Sequence, residues 1–199
     1  FEDNANDAEG NYNGTASNVT YATGYIDKAA VFNGSSSYIY LGSTAFQYTS
    51  LTISAWIYPT AASGGIILNT YESGGSPTNS GWIFHRNSNG TISFGAYGNG
   101  SFSLATTSLT ALNTWTHIAV TFSPTSYAMY FNGFAQPTNS PSVMTVQYST
   151  GGNNNGNPCS IGRNDYTGGS SGYFTGSIDQ LRVFNRVLDS GEVTQLYNE

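Results

Sequence analysis

The sequence predicts an all-β protein, a two-sheet antiparallel sandwich with one short C-terminal helix. Short segments in which apolar or aromatic residues alternate with small polar ones recur along the chain, and this period of two is typical of strands with one buried face. Asn-Gly pairs begin at Asn33, Asn89, Asn99 and Asn132, and such pairs reach positive φ at low cost, as tight turns between antiparallel strands require. The 29 aromatic residues supply enough apolar surface to close a core.

The alternation predicts six strands, which in chain order span residues 37–41, 51–58, 81–85, 91–96, 115–122 and 128–131. The last dozen residues predict a helix of two to three turns, because Asp189 and Glu192 have the spacing of a capping box ahead of an apolar face. Two long loops are predicted, over residues 69–80 and 150–172. Large apolar side chains flanked by small or polar neighbours are the predicted core residues: Trp56, Trp115, Phe122, Phe131 and Phe184.

Composition excludes several classes of protein. Gly, Ser, Thr and Asn account for 94 of the 199 residues, whereas Lys and Arg number five and the net charge is −6. Because five cations are too few to neutralise a row of phosphates, nucleic acid and anionic membranes are poor partners. No apolar run approaches the roughly 20 residues that a membrane helix needs. Cys159 is the one cysteine, so no disulfide forms within the chain, and its redox state stays open.

The length predicts a single domain over residues 1–199, since β-sandwiches of about 200 residues commonly form one unit. The chain opens with Phe1 rather than Met and has no signal-peptide pattern, so we expect it to be a module of a larger protein with other domains in the same chain.

Six motifs in their order along the chain resemble the laminin G-like jelly-roll family, a branch of the concanavalin A-like lectin and glucanase superfamily. They are the Asn- and Gly-rich opening at 6–14, AVFNGS at 30–35, LTISAWIYP at 51–59, WTHIAVT at 115–121, MYFNG at 129–133, and IGR at 161–163 followed by FTGSIDQLRVFNRVL at 174–188. The resemblance implies a jelly-roll sandwich over nearly the whole chain. Gln180 departs from the family pattern, which usually has an acid after the residue equivalent to Asp179.

The sequence argues against catalysis. Glucanases of this superfamily place two or three carboxylates on one strand, in a pattern like E-x-D-x-x-E, so that an acid and a nucleophile flank the glycosidic bond. This chain has no such strand, no G-x-S-x-G motif and no H-E-x-x-H motif. We therefore predict that the chain is not an enzyme.

Calcium is the candidate cofactor, because it takes six to eight oxygen ligands and accepts backbone carbonyls beside acids at strand ends. The resemblance implies a site that joins Glu2 or Asp3 to Asp179. The alternative is that Asp179 accepts backbone hydrogen bonds or pairs with an arginine. By analogy with ligand-binding calcium in related domains, a second cation position would use Asn164 and Asp165.

Carbohydrate recognition combines aromatic faces with side chains that form directional hydrogen bonds. The two long loops and the strand after the first one carry both kinds of group. The candidate ligand-binding residues are Tyr71, Glu72, Trp82, His85, Arg86, Arg163, Asn164, Asp165, Tyr166 and Tyr173. Tyrosines in Gly- and Ser-rich loops are also what protein-binding surfaces use.

The sequence thus predicts a non-catalytic, lectin-like module of a larger extracellular, cell-surface or virion-surface protein, with a glycan or another cell-surface ligand as its partner. The alternative is an adhesive or structural domain that binds a protein and has no sugar site. A glycoside hydrolase comes third, because the carboxylate strand is missing.

Overall fold

The six strands predicted from the alternation are present, with ends shifted by at most two residues. The protein is described by a computed structural model that covers residues 1–74, 77–98, 100–139, 142, 145–149, 157–166 and 169–199; for residues 165, 166, 169 and 170 it covers only the backbone. The elements are β1 Thr15–Ser17, β2 Thr20–Thr23, β3 Lys28–Asn33, β4 Tyr38–Gly42, β5 Leu51–Pro59, β6 Gly65–Asn69, β7 Gly81–Arg86, β8 Ile92–Gly98, β9 Gly100–Ala105, β10 Thr116–Phe122, β11 Tyr127–Phe131, β12 Phe134–Ala135, β13 Cys159–Ile161, β14 Asn164–Tyr166, β15 Gly169–Ser171, β16 Thr175–Phe184 and α1 Ser190–Asn198.

Within the described ranges the strands form two antiparallel sheets of seven and a small two-stranded hairpin. The front sheet has the order β1-β4-β13-β6-β7-β8-β9, the back sheet the order β12-β11-β10-β5-β16-β3-β2, and β14 pairs with β15. The inner faces of both sheets share one core of fully buried side chains, which includes Trp82, Phe84 and Phe94 from the front sheet and Ile53 and Phe122 from the back sheet. The predicted jelly-roll sandwich is therefore confirmed.

The turns follow the predicted Asn-Gly chemistry. The β7–β8 hairpin turns at Asn89-Gly90, where Gly90 has a φ of 94° and its N–H donates to the carbonyl of Asn87. The β11–β12 hairpin turns at Asn132-Gly133, with φ values of 49° and 79°. Positive φ at both central positions matches the twist of antiparallel strands. Asn99 lies outside the described residues.

Helix α1 covers the outer face of the back sheet. Asp189 caps its N-terminus: the carboxylate accepts the N–H of Glu192, and the Glu192 carboxylate accepts the N–H of Asp189, which confirms the predicted capping box. Val193 of the helix and Leu188 pack against Ala119 and Tyr130 of the back sheet. No helix in the described part of the chain is long and apolar enough to cross a membrane.

Three of the five predicted core residues do not lie between the sheets. Phe122 and Phe131 do, but Trp56 is buried on the outer face of the back sheet, where Tyr25 stacks on it at a ring distance of 3.4 Å. Phe184 is half-buried against the helix cluster, and Trp115 is half-buried just before β10. The predicted loop over 150–172 also needs correction, because its described part contains β13, β14 and β15.

His117 is a buried titratable group under helix α1. Its side chain is 1% exposed, its Nε2 lies 2.8 Å from the hydroxyl of Ser54, and its Nδ1 has no hydrogen-bond partner in the structure. Burial, reinforced by the charge of Arg182, lowers the pKa of His117 to about 4. The imidazole is therefore neutral in the folded protein at neutral pH.

We predict that His117 makes the fold sensitive to acid. Because its folded pKa lies below the unfolded value of about 6.5, the unfolded chain binds the extra proton between these values. The contribution of His117 to the free energy of unfolding should not change with pH above pH 6.5. As the pH is lowered from 6.5 to about 4, this contribution should fall by up to about 1.4 kcal/mol per pH unit. Urea unfolding from pH 8 to 4 measures it. His117→Gln, which titrates nowhere in this range, should show a shallower loss, and equal slopes for the two proteins would contradict the prediction.

Candidate functional site

The outer face of the front sheet carries the candidate site. The helix covers the corresponding face of the back sheet, whereas the front face is bordered by the predicted loop after β6 and by the β14–β15 hairpin. The register of β7, β8 and β9 places Ile83, Gly95 and Ser103 in one row across this face, with His85 and Tyr97 in the neighbouring rows. We call the set Tyr71, Ile83, His85, Gly95 and Tyr97 the front-face site.

Gly95 lets its two neighbours close over the middle of the front-face site. A Cβ added there would lie 3.0 Å from Cγ2 of Ile83 and 3.2 Å from the hydroxyl of Tyr97, so these side chains fill the space above the backbone and Gly95 itself is buried. The site therefore presents a packed surface on which the ring of Tyr97 lies beside Ile83.

Tyr71 and Tyr97 form an aromatic pair beside Gly95. Their ring centroids are 4.6 Å apart, and the hydroxyl of Tyr71 donates to Oδ1 of Asn79 at 2.8 Å. Both side chains are half-buried, and burial raises the pKa of Tyr97, so its phenol stays neutral and both donates and accepts hydrogen bonds. Tyr97 was missed because the predicted strand ended at Ala96, two residues before the end of β8.

His85 lies in the row on the other side of Gly95 from Tyr97. Its Nε2 lies 3.1 Å from Oδ1 of Asn87, which assigns the ring proton to Nε2, and its Nδ1 is buried and has no hydrogen-bond partner in the structure. Burial lowers the pKa of His85, so the ring is neutral at neutral pH. His85 therefore adds no charge to the front face.

Arg163 and Asn164 border the same face at the base of the hairpin. The guanidinium of Arg163 lies 3.3 Å over the ring of Tyr38, and the amide of Asn69 fixes the turn by donating to the carbonyl of Arg163 at 2.7 Å. Asn164 is 9% exposed, and its Oδ1 has no hydrogen-bond partner in the structure. Tyr173 is half-buried where the hairpin ends. The side chains of Asp165 and Tyr166 lie outside the described residues.

Three predicted ligand residues are buried structural groups instead. Trp82 is fully buried in the core, where its Nε1 donates to the carbonyl of Phe46. Arg86 is 3% exposed and holds loops together, with Nε donating to the hydroxyl of Thr110 at 2.9 Å. Glu72 is 1% exposed and accepts the N–H of Gly74 at 2.7 Å. In this conformation none of the three side chains is accessible to a ligand.

The acids predicted to bind calcium have other partners in the structure. Asp179 is fully buried and accepts the backbone N–H groups of Ile26 at 3.0 Å and Gln180 at 2.8 Å. Asp3 faces Lys28 at 3.8 Å and, like Glu2, is exposed. Among the described residues no three His, Cys, Asp or Glu side chains form a group that could hold a metal ion. Calcium there would need backbone carbonyls to complete its ligands, and calcium binding stays a prediction.

A cleft of about 600 Å³ lies away from the front face, between the N-terminal segment and β16. Tyr12, Phe46 and Val183 are among its walls, and the Asp7 carboxylate at its rim accepts the N–H groups of Glu9, Asn11 and Tyr12. The lining of the cleft also includes the polar side chains of Asn11 and Gln180.

The family model described as the concanavalin A-like lectin/glucanases superfamily, of laminin G type, matches residues 33–194. The chain belongs to this family, which confirms the resemblance. Among curated protein sequences, none matches the chain.

Solved structures share the fold. Domain 4 of an extracellular GH43 arabinanase from Geobacillus stearothermophilus, in complex with arabinotriose, is similar with a TM-score of 0.71 at 22% identity, over 98% of this chain and 93% of that one. The carbohydrate-binding module CBM40 of the Ruminococcus gnavus IT-sialidase, bound to α2,3-sialyllactose, gives 0.62 at 14% identity, over 75% and 83%. The receptor-binding domain of botulinum neurotoxin C/D mosaic serotype gives 0.66 at 16% identity, over 95% of this chain and 47% of that one.

We predict that calcium stabilises the folded state through Asp179. A ligand that binds only the folded protein stabilises it by about 2.7 kcal/mol at 100 times its Kd. Calorimetry should therefore give a higher melting temperature in millimolar calcium than in EDTA, and Asp179→Asn should abolish the rise. Equal melting temperatures in calcium and EDTA would contradict the prediction, whereas a rise that survives the substitution would place the ion elsewhere.

Proposed function

We propose that this domain is a non-catalytic carbohydrate-binding module of a larger extracellular or surface protein, and that it binds glycans at the front-face site. The observation that carries the proposal is the half-buried Tyr71–Tyr97 pair on the outer face of the front sheet. Apolar faces of sugar rings pack on aromatic side chains, while phenol hydroxyls bond to sugar hydroxyls.

The comparisons support this proposal. The arabinanase domain and the sialidase module are parts of larger proteins, and each was solved with an oligosaccharide. Extracellular placement is proposed by the same likeness, since the arabinanase is extracellular.

The distribution of acids supports a binding role without catalysis. Glycosidases flank the bond with two carboxyl groups about 5 to 9.5 Å apart. Only two of the eleven acids in the sequence, Glu72 and Asp165, belong to the segments that border the front face. The Glu72 carboxylate is buried and already accepts a backbone N–H.

A protein partner is the second candidate function. Tyr, Ser and Asn side chains at the front face also suit a protein-binding surface, and a toxin receptor-binding domain shares the fold. Two measurements made in parallel separate the two functions: a glycan array and a binding assay with deglycosylated receptor proteins. Binding to the array alone supports the glycan, whereas binding to the deglycosylated proteins alone supports a protein partner.

We predict that Tyr97→Ala weakens glycan binding by about tenfold or more, which corresponds to about 1.4 kcal/mol, because it removes one ring of the aromatic pair. Isothermal titration with the best array ligand, starting from arabinotriose, measures the change. The matched control is Phe134→Ala, which removes an aromatic ring that is 73% exposed on the β11–β12 hairpin of the back sheet, and it should bind as the unmodified protein does. Equal losses in both variants, or no loss in Tyr97→Ala with its melting temperature intact, would place the sugar elsewhere.

A further inference from the structure

We infer that the glycan is uncharged, and that sialylated, sulfated and uronic-acid sugars are excluded. The inference rests on the proposed function and deepens it by naming the class of ligand. Two oligosaccharides bound to proteins of this fold differ on this point, since arabinotriose is neutral and sialyllactose carries a carboxylate. The fold alone therefore does not determine whether the glycan is neutral or acidic, and the inference depends on where the charged residues of this chain lie.

Every cationic side chain of the protein already has a structural role. The sequence contains five, and all five lie in the described ranges. Arg182 pairs with Glu199, and Arg186 forms a two-pronged contact with Glu192 at 2.9 and 2.6 Å. Lys28 lies 3.8 Å from Asp3.

These three cations are also far from the front face by topology. Lys28 begins β3, Arg182 belongs to β16, and Arg186 follows it toward helix α1, so all three belong to the back-sheet side of the molecule. An anionic sugar on the front face would have to be recognised by the two cations that remain, Arg86 and Arg163.

Arg86 points away from the front face. It follows His85 on β7, so the alternation turns its side chain inward, where it is 3% exposed. Its guanidinium donates to the hydroxyl and carbonyl of Thr110 and to the carbonyl of Ser63. Moving Arg86 outward would leave these buried acceptors unpaired, which costs about 1 to 3 kcal/mol for each group.

Arg163 is the one cation beside the front face, and the ring of Tyr38 holds it. Its guanidinium lies 3.3 Å over that ring, a cation–π arrangement. The buried carboxylate of Glu72 and the net charge of −6 add negative potential around an incoming anion. A carboxylate or sulfate would lose hydration there with a single stacked guanidinium as its one cationic partner and net negative charge around it, which is unfavourable.

The groups that the front face does offer suit hydroxyls. Tyr97 is a neutral phenol, and the outward positions of β9 are the exposed hydroxyls of Ser101 and Ser103. Such groups donate to and accept from a sugar hydroxyl equally well.

The test is an array that pairs neutral oligosaccharides with their acidic counterparts, including arabinotriose, lactose, α2,3-sialyllactose and sulfated lactose. We expect binding to neutral members at least tenfold tighter than to their acidic partners, and unchanged between 50 mM and 1 M NaCl. Acidic members that bind as tightly as their neutral partners, or better at low salt, would overturn the inference and leave the proposed function standing. Failure to bind any member would overturn both.

A pair of substitutions at Ser103 tests the inference by a gain of binding to acidic sugars rather than by a loss. Ser103 is exposed, lies in the Gly95 row and sits on the edge strand of the front sheet, so substitutions there should fold. Ser103→Arg should strengthen binding of the acidic partner of the best neutral ligand by about tenfold and make it salt-sensitive, while Ser103→Gln should not. No gain with Ser103→Arg would mean that charge does not set the ligand class, which would overturn the inference.

Discussion

The two sheets must bury one face each against a shared core, and this constraint also decides which side chains are left to bind. Because successive strand residues point to opposite faces, placing Trp82, Phe84 and Arg86 inside places Ile83 and His85 outside. A slip of one residue in the pairing of β7 would bury His85 and expose Phe84. The front-face site is therefore held in place by the core beneath it.

The two outer faces of the sandwich have different fates for the same reason. The back sheet presents Trp56, Ala119 and Tyr130 outward, and these apolar groups need cover, which Tyr25 and helix α1 supply. The front sheet instead presents Gly95, Tyr97 and hydroxyl groups, which tolerate water and need no helix. The outer face of the back sheet is thus covered and contributes to stability, whereas the outer face of the front sheet stays open to the proposed ligand.

Sequence alone predicted six of the sixteen described strands, together with the capped helix and the Asn-Gly turns. Among the strands it missed is β6, because the run Ile66-Ile67-Leu68 has no alternation; a bulge there adds a residue to the strand. For the candidate site, the alternation of side chains along β7 already placed His85 on one face and Trp82 and Arg86 on the other. All three were nevertheless predicted to bind a ligand, because their residue types were given more weight than this alternation. The position of Tyr97 depended on a strand end, which local pattern sets poorly. The pairing of Asp179 with Ile26, 153 residues away, is a tertiary contact that no local pattern reveals.

The scarcity of charge links stability to specificity. Arg86, Arg182 and Arg186 hold loops and the helix region through contacts that would be lost if any of them turned to a ligand. A chain with spare lysines could acquire affinity for acidic sugars by small movements of flexible side chains. This chain has none to spare, so recognition of an anion would require a new cation rather than a rearranged one. Discrimination against acidic glycans is then a consequence of how the fold is stabilised, and it needs no group at the site that repels them.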